Sequence, residues 1–548
     1  MTKTVLIGLD GATFSVLSPF IDGTAPEGLV MPFLAGMVSN GFSATLASTS
    51  HPLTPPAWTT VATGRTPGAH GIYDFVRFED MGEDMYFTLY DARDIRVDTL
   101  WEIASKQGST VASLNFPMMA PPPAVNGSLI PGFVSWKHLR RNMHPTSLYD
   151  RIAAIPGFDP KELSWDFERE GQIGELMEDS ELLRWVENHL PRDRQWYNIG
   201  SHLMDEDNPD LLALMLDGTD KIQHQAWHIL DPQLWNPETA SDAAKEVRRV
   251  VVQYFREVDE NISKLSAAAG PDAHVIIVSD HGFTGSSYVV RINAYLEELG
   301  HLKWRPADDS AAGQRRDMAN FANLDWTDTQ AFCPTPSSNG IVIRRQSEKC
   351  PKGVPADQYE AFRDQLIEDL LKLKDPESGE HVITDVLKRE DAFPGAAMDE
   401  APDLTLVLVD HGFVSVRNRT PSVVTRPVPF GTHQPDGIFV MSGPGVMATR
   451  GAEMSIVDTT AIMAHSLAVL RVLEDGGVKL ADKANCVAGH SLGEYSALAA
   501  AGTFSIADST GALVTSVVRI WPSTILMRCS EKSVSIIAWP TLWTRANA

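Results

Sequence analysis

An α/β fold with a mostly parallel central sheet is what this sequence predicts, and three apolar runs carry the prediction. Thr4–Leu9, Leu211–Leu216 and His274–Val278 are short, continuous and rich in strand formers, the pattern of strands buried on both faces. Each run ends at a carboxylate: Asp10, Asp217 and, after Ser279, Asp280. Helical stretches lie between them, and that alternation gives a parallel sheet with helices packed on it.

Taken in order, the strand Thr4–Leu9 is followed by a short helix over residues 30–40. Thr45–Ser50 then leads into His51-Pro52-Leu53-Thr54-Pro55-Pro56-Ala57-Trp58. Proline is tolerated in a helix's first turn, so Pro55-Pro56 would hold Thr54 at a helix N-terminus. Free backbone N–H groups and the positive dipole end there suit an anionic substrate. The plainer alternative makes Thr54 an N-cap in a proline-rich loop. Thr110–Phe116 is a further strand candidate. From 133 to 205 the tryptophans, charges and a helical pattern over Ser180–Met204 suggest a cap or insertion over the site. A long helical region near 239–268 leads to His274–Val278. Residues 286–430 look less regular, with a helix near 357–374 and a strand at Leu404–Val409, and Gly437–Ser442 is the last core strand.

At 548 residues the chain exceeds the size at which one core stops growing, so more than one structural unit is expected. The formal charge of −25 argues against a nucleic-acid surface and for repulsion from anionic membranes. Four cysteines (Cys333, Cys350, Cys486, Cys529) lack C-x-x-C spacing, so neither a zinc knuckle nor a disulfide framework is indicated. The apolar start of the chain is too short for a secretion signal or a membrane span. A reducing cytoplasm is therefore the expected location.

The chemistry gathers at one edge of the predicted sheet, since ligands of open α/β sheets bind beyond the carboxyl ends of the strands. Asp10, Asp217, Asp220, Asp280 and His281 all follow such ends, and His433 precedes the last strand. Asp220 and His224 are one helical turn apart and can face one ion. Mixed aspartate and histidine ligation suits zinc, with manganese or iron as alternatives. Two such ions could clamp the attacking and leaving oxygens of a phosphoryl displacement. One ambiguity stands inside the chain: Asp410-His411-Gly412-Phe413 also follows an apolar strand and repeats Asp280-His281-Gly282-Phe283. Spacing does not separate the two.

These motifs, in this order, resemble the alkaline phosphatase superfamily over about residues 1–460, most closely its type I phosphodiesterase/nucleotide pyrophosphatase branch. The resemblance implies a three-layer sandwich in which Asp220, His224 and His433 hold one divalent ion and Asp10, Asp280 and His281 the other. Thr54 would be the nucleophile and would also touch the second ion. It implies a small phosphate ester as substrate and leaves Asp410-His411 as a surface turn. Two departures stand out: Ala57 occupies the position where pyrophosphatases of this branch carry asparagine, and the Cys/Ser-x-Pro-x-Arg pattern of sulfatases is absent. Arg65 is the candidate for a phosphate-gripping arginine.

Past residue 460 a different resemblance begins. Gly489-His490-Ser491-Leu492-Gly493 is a nucleophile elbow, and residues 462–515 are similar to malonyl-CoA:acyl-carrier-protein transacylases. As an enzyme the segment is a fragment: no histidine follows His490 to serve as base, and Ser516 stands where that family places its malonate-binding arginine. The expected organisation is thus a phosphohydrolase domain over 1–460, an acyltransferase-like fragment over 461–518 and an unassigned tail over 519–548. Apolar positions Ile462, Leu467, Leu470 and Leu473 give Val457–Glu474 a helical pattern. Malonyl transfer through Ser491, or a binding protein that has kept the fold without catalysis, are the alternative functions.

Overall fold

The structure is a computed structural model describing residues 3–82, 85–164, 177–306, 324–444 and 446–458, with backbone strands at 486–489, 525–530 and 533–538. Its centre is an eight-stranded sheet. The strands in chain order are β1 (Thr4–Leu9), β2 (Phe42–Ala47), β3 (Val111–Leu114), β4 (Gly127–Ile130), β5 (Leu211–Leu216) and β6 (His274–Val278). After β7 (Gly282–Arg291) and β8 (Val423–Gln434), which belong to a smaller sheet, come β9 (Asp436–Ser442) and β10 (Thr449–Ser455). The spatial order is β10-β2-β9-β6-β1-β5-β3-β4. Every neighbouring pair is parallel except those made by β9, which runs antiparallel to both β2 and β6.

Register is what assembles the site. Leu9 pairs with Leu216 and Gly8 with Val278, so the residues that follow all three strands emerge at one edge. The period of two sends Val5, Ile7 and Leu9 into one hydrophobic core and Leu6 into another. The first core takes in α1 (Pro32–Asn40), α3 (Asp179–Glu206), α4 (Gly218–Leu230) and α5 (Asp242–Ala269); the second holds α2 (Thr54–Thr63). That is a three-layer sandwich, the α/β class the sequence predicts. Within the stretch 133–205 read as a cap, the helix α3 packs in the layer against the sheet.

Gly8 and Trp58 explain how α2 is seated. A Cβ on Gly8 would lie 2.4 Å from Trp58 Cη2, so the indole rests directly on the strand backbone. Trp58 is buried to 1% exposure, and an indole removes roughly 150–250 Å² from water, on the order of 4–6 kcal/mol. The residue four places from Thr54 therefore anchors the helix that presents it.

Residues 286–430 are more regular than their sequence suggests. Ala331–Phe332, Gly340–Ile343, Leu404–Leu408 and Ile383–Lys388 form a four-stranded antiparallel sheet with a core of its own, into which Leu366 and Leu370 of the helix Tyr359–Leu370 pack. Ser491, all of the acyltransferase-like segment except the Cys486–Gly489 backbone, and most of the helix expected over Val457–Glu474 lie outside the described residues. Cys486–Gly489 pairs antiparallel with Ile525–Ser530, which pairs with Ser533–Ala538. These last two strands fall in the tail left unassigned over 519–548, where the alternation in Ser533-Val534-Ser535-Ile536 is too short to stand out. Among the described residues no helix is long and apolar enough to cross a membrane.

Candidate functional site

Thr54 is the first residue of α2, with Leu53 as N-cap. Its hydroxyl does not cap the helix; Oγ1 instead lies 3.5 Å from His281 Nε2. The N-cap alternative is thus set aside. One expectation changes with it. Pro55 and Pro56 carry no N–H and Ala57 N donates to Leu53 O at 3.0 Å, so of the amides at the helix start only that of Thr54 is left to meet an anion.

All six predicted ligand residues converge beside Thr54. Asp220 Oδ1 lies 3.0 Å from His433 Nε2 and 3.5 Å from His224 Nε2, and the two imidazole nitrogens are 3.1 Å apart. His281 Nε2 lies 3.3 Å from Asp280 Oδ2, 3.5 Å from Asp10 Oδ1 and 4.0 Å from Asp220 Oδ1. The donor atoms of Asp10, Asp280 and His281 fit one cation, and those of Asp220, His281 and His433 fit another, so His281 stands between the two positions.

The outer contacts decide which nitrogen faces inward. His224 Nδ1 donates to Gly431 O at 2.9 Å, His433 Nδ1 to Pro52 O at 2.8 Å and His281 Nδ1 to Gly282 O at 3.1 Å. Each ring therefore keeps its proton on Nδ1 and turns an Nε2 lone pair into the cluster, the tautomer a metal-binding histidine needs. Two lone pairs 3.1 Å apart repel unless a cation lies between them. Asp10 Oδ1, Asp220 Oδ1 and Asp280 Oδ2 are buried without a hydrogen-bond donor. Burial and the neighbouring carboxylates push Asp10 well above the usual range, and burial does the same to Asp280. Burial lowers His224 to about 4 and holds His281 well below its ordinary value, so these two rings are neutral. Three converging carboxylates and three imidazoles that turn Nε2 inward in a buried space suit divalent cations.

Braces from the backbone fix the cluster. Thr219 Oγ1 donates to Asp10 O at 2.6 Å, Gln223 Nε2 to Gly11 O at 2.9 Å and Gly11 N to Asp280 Oδ1 at 3.2 Å. Sequence reasoning missed Thr219 and Gln223, although both lie on α4 beside the candidate ligands Asp220 and His224. Asp217, grouped with the strand-end carboxylates, is not in the cluster. It takes a bidentate pair from Arg192 at 2.8 and 2.9 Å, which with Lys221 at 3.8 Å holds its carboxyl near 2 despite burial. Arg65 is not a phosphate grip: it is exposed beyond Gly64, the far cap of a ten-residue helix, about 15 Å along the axis from Thr54. Asp410 lies outside the cluster as expected, but is tied to Ser286, Ser287 and Tyr288, which a simple surface turn does not require.

A buried carboxylate–imidazole cluster at the carboxyl edge of an α/β sheet, with a hydroxyl at 3.5 Å, defines the class of metal-dependent hydrolases. The family model for type I phosphodiesterase/nucleotide pyrophosphatase matches residues 4–436, and the chain belongs to that family. It is accordingly a metal-dependent phosphoester hydrolase. No curated protein matches the chain by sequence. Similar solved structures include phosphonoacetate hydrolase from Sinorhizobium meliloti in complex with phosphonoformate, at 15% identity and TM-score 0.48, covering 85% of this chain and 95% of that one. An inactive murine ectonucleotide pyrophosphatase/phosphodiesterase 5 in complex with AMP is 14% identical, with TM-score 0.47 and coverage of 85% and 94%.

Proposed function

We propose that the protein hydrolyses phosphodiesters or pyrophosphates of small molecules, with Thr54 as nucleophile and two divalent ions, zinc before manganese or iron. Asp220, His224 and His433 would hold one ion and Asp10, Asp280 and His281 the other, with His281 near both. When bound, such ions act as Lewis acids on the phosphoryl oxygens and favour the deprotonated hydroxyl. The remaining chemistry belongs to the chain. Thr54 Oγ1 forms a bond to phosphorus as the leaving alcohol's oxygen departs from the opposite side; a water then displaces Thr54 and regenerates its hydroxyl. Trp58 on Gly8 keeps that hydroxyl in place, which is where rate comes from in a positioned displacement. Three orphaned carboxylate oxygens beside Thr54 Oγ1 are the observation that carries the reading.

The test is a panel of chromogenic phosphate diesters, monoesters and sulfate esters assayed after chelation and after return of Zn²⁺ or Mn²⁺. Diesters should be hydrolysed fastest, and activity should vanish on chelation and return with the ion. Full activity in the chelated protein would sink the proposal. The transacylase reading rests on the motif around Ser491 alone. Its own test is Ser491-dependent transfer of malonyl from coenzyme A to acyl carrier protein.

A further inference from the structure

The second Asp-His-Gly-Phe turn is left unexplained by the proposed chemistry, yet it is built with care. The β7–β8 ladder is interrupted between Thr425 and Phe430. Opposite that interruption, the amides of Ser287 and Tyr288 donate to Asp410 Oδ2 at 2.6 and 3.1 Å, joined by Ser286 Oγ at 3.0 Å. Asp410 Oδ1 accepts from Gly412 N at 3.0 Å, folding the turn onto its own carboxylate. A Cβ on Gly412 would meet Ser286 Oγ at 2.7 Å and Asp410 Oδ1 at 2.9 Å, so a side chain there would have to displace the clamp's own groups. From the other side Asn339 Nδ2 donates to Gly412 O and Asn339 Oδ1 accepts from Val414 N, both at 3.0 Å. Phe413 is thus gripped through the backbone on each flank.

Its ring is aimed at the site. Phe413 stands edge-on to His433 at 4.8 Å and 75°, and to His51 at 6.0 Å and 75°. Thr432 Oγ1, on the residue before His433, donates to His411 O at 3.3 Å. His281 stacks at 3.6 Å on the His433 imidazole, and Pro52 O holds its Nδ1. Phe413 bounds it from a further direction. We infer that the turn Asp410–Phe413 is a positioning device for His433, fixing the ring orientation in which Nε2 meets Asp220 Oδ1. The inference rests on the two-ion reading. Asp410 and Phe413 are positioning residues and touch no reacting atom.

Calorimetric titration of the full-length, metal-stripped protein with Mn²⁺ or Zn²⁺ tests it without relying on turnover. The parent should bind two ions. Phe413→Ala and Asp410→Ala should each weaken one of the two by about 10–100-fold, the range for outer contacts of a metal ligand, and leave the other within about twofold. Phe413→Leu, which restores bulk beside the imidazole, should recover most of the loss. Parent-like binding of both ions by folded Phe413→Ala overturns the inference. So does equal weakening of both ions in Phe413→Ala and Phe413→Leu with a common drop in melting temperature, which marks a purely structural role. A parent that binds no ion refutes the two-ion reading instead.

Discussion

Asp280-His281-Gly282-Phe283 and Asp410-His411-Gly412-Phe413 are the same four residues after an apolar strand, with opposite fates. His281 is fully buried and its Nε2 meets carboxylates of three residues; His411 is exposed, at φ +56°. Asp280 accepts one amide and leaves Oδ2 open to the cluster, whereas Asp410 fills both oxygens with four donors. The difference lies in the strand each one follows. β6 is an interior strand beside β1, so its carboxyl end opens into the site. Leu404–Leu408 belongs to the smaller antiparallel sheet, and its end meets β7. A carboxylate left with an unfilled acceptor in a buried space is poised for a cation; one with its donors in place is a clamp.

The comparison can be broken most sharply at Thr54, the proposed nucleophile, which only the first turn faces. Thr54→Ala should lower kcat by more than ~10³-fold while both ions still bind, because the attacking oxygen alone is removed. Thr54→Ser should keep a substantial part of the rate. Steady-state kinetics beside an ion titration decide this, and parent-like turnover by Thr54→Ala removes the assignment.

Matched substitutions in the two turns come next. Asp280→Ala should weaken ion binding by more than ~100-fold, beyond what an outer contact contributes, while Asp410→Ala stays within ~10–100-fold and affects one ion. Equal losses by calorimetry would erase the distinction between ligand and clamp.

A third carboxylate, Asp74, sharpens the clamp side of the comparison. Burial raises it to about 6 despite donors from Phe75 N and Ser337 Oγ. The folded state then binds that proton more tightly than the unfolded chain between about pH 4 and 6, so the contribution of Asp74 to stability falls as pH rises through that window. The loss is at most about 3 kcal/mol. Asp74→Asn should therefore gain stability relative to the parent from pH 4 to 6, read as the difference in melting temperature. A pH-independent difference contradicts the assigned cause.

The smallest effect belongs to His411. Glycine accepts φ +56° without a Cβ penalty but gains freedom in the unfolded chain, so His411→Gly should alter stability by less than about 1 kcal/mol. Ion binding should be unaltered, since the carbonyl that accepts from Thr432 remains. A large loss of either would show that the imidazole contributes to the clamp.

By itself the sequence determined the strands, the residues at their ends and the rigid start of α2. Apolar runs of five or six residues ending in Asp10, Asp217 or Ser279-Asp280 are local patterns, and Thr54-Pro55-Pro56 fixes its backbone within three residues. Those signals marked strand-end candidates, and the resemblance of the motifs taken in order selected the six residues of the converging cluster from among them. What followed each strand was legible; which strand ends share an edge was not. Tertiary structure decided that Asp217 turns to Arg192, that Arg65 lies a helix length away, and that the second Asp-His-Gly-Phe clamps a strand. It also supplied Thr219 and Gln223 as braces and gave residues 286–430 a core of their own. The physical reason is that a carboxylate's role depends on the donors that reach it, and those arrive from residues tens to hundreds of positions away, through a sheet register that no local pattern encodes.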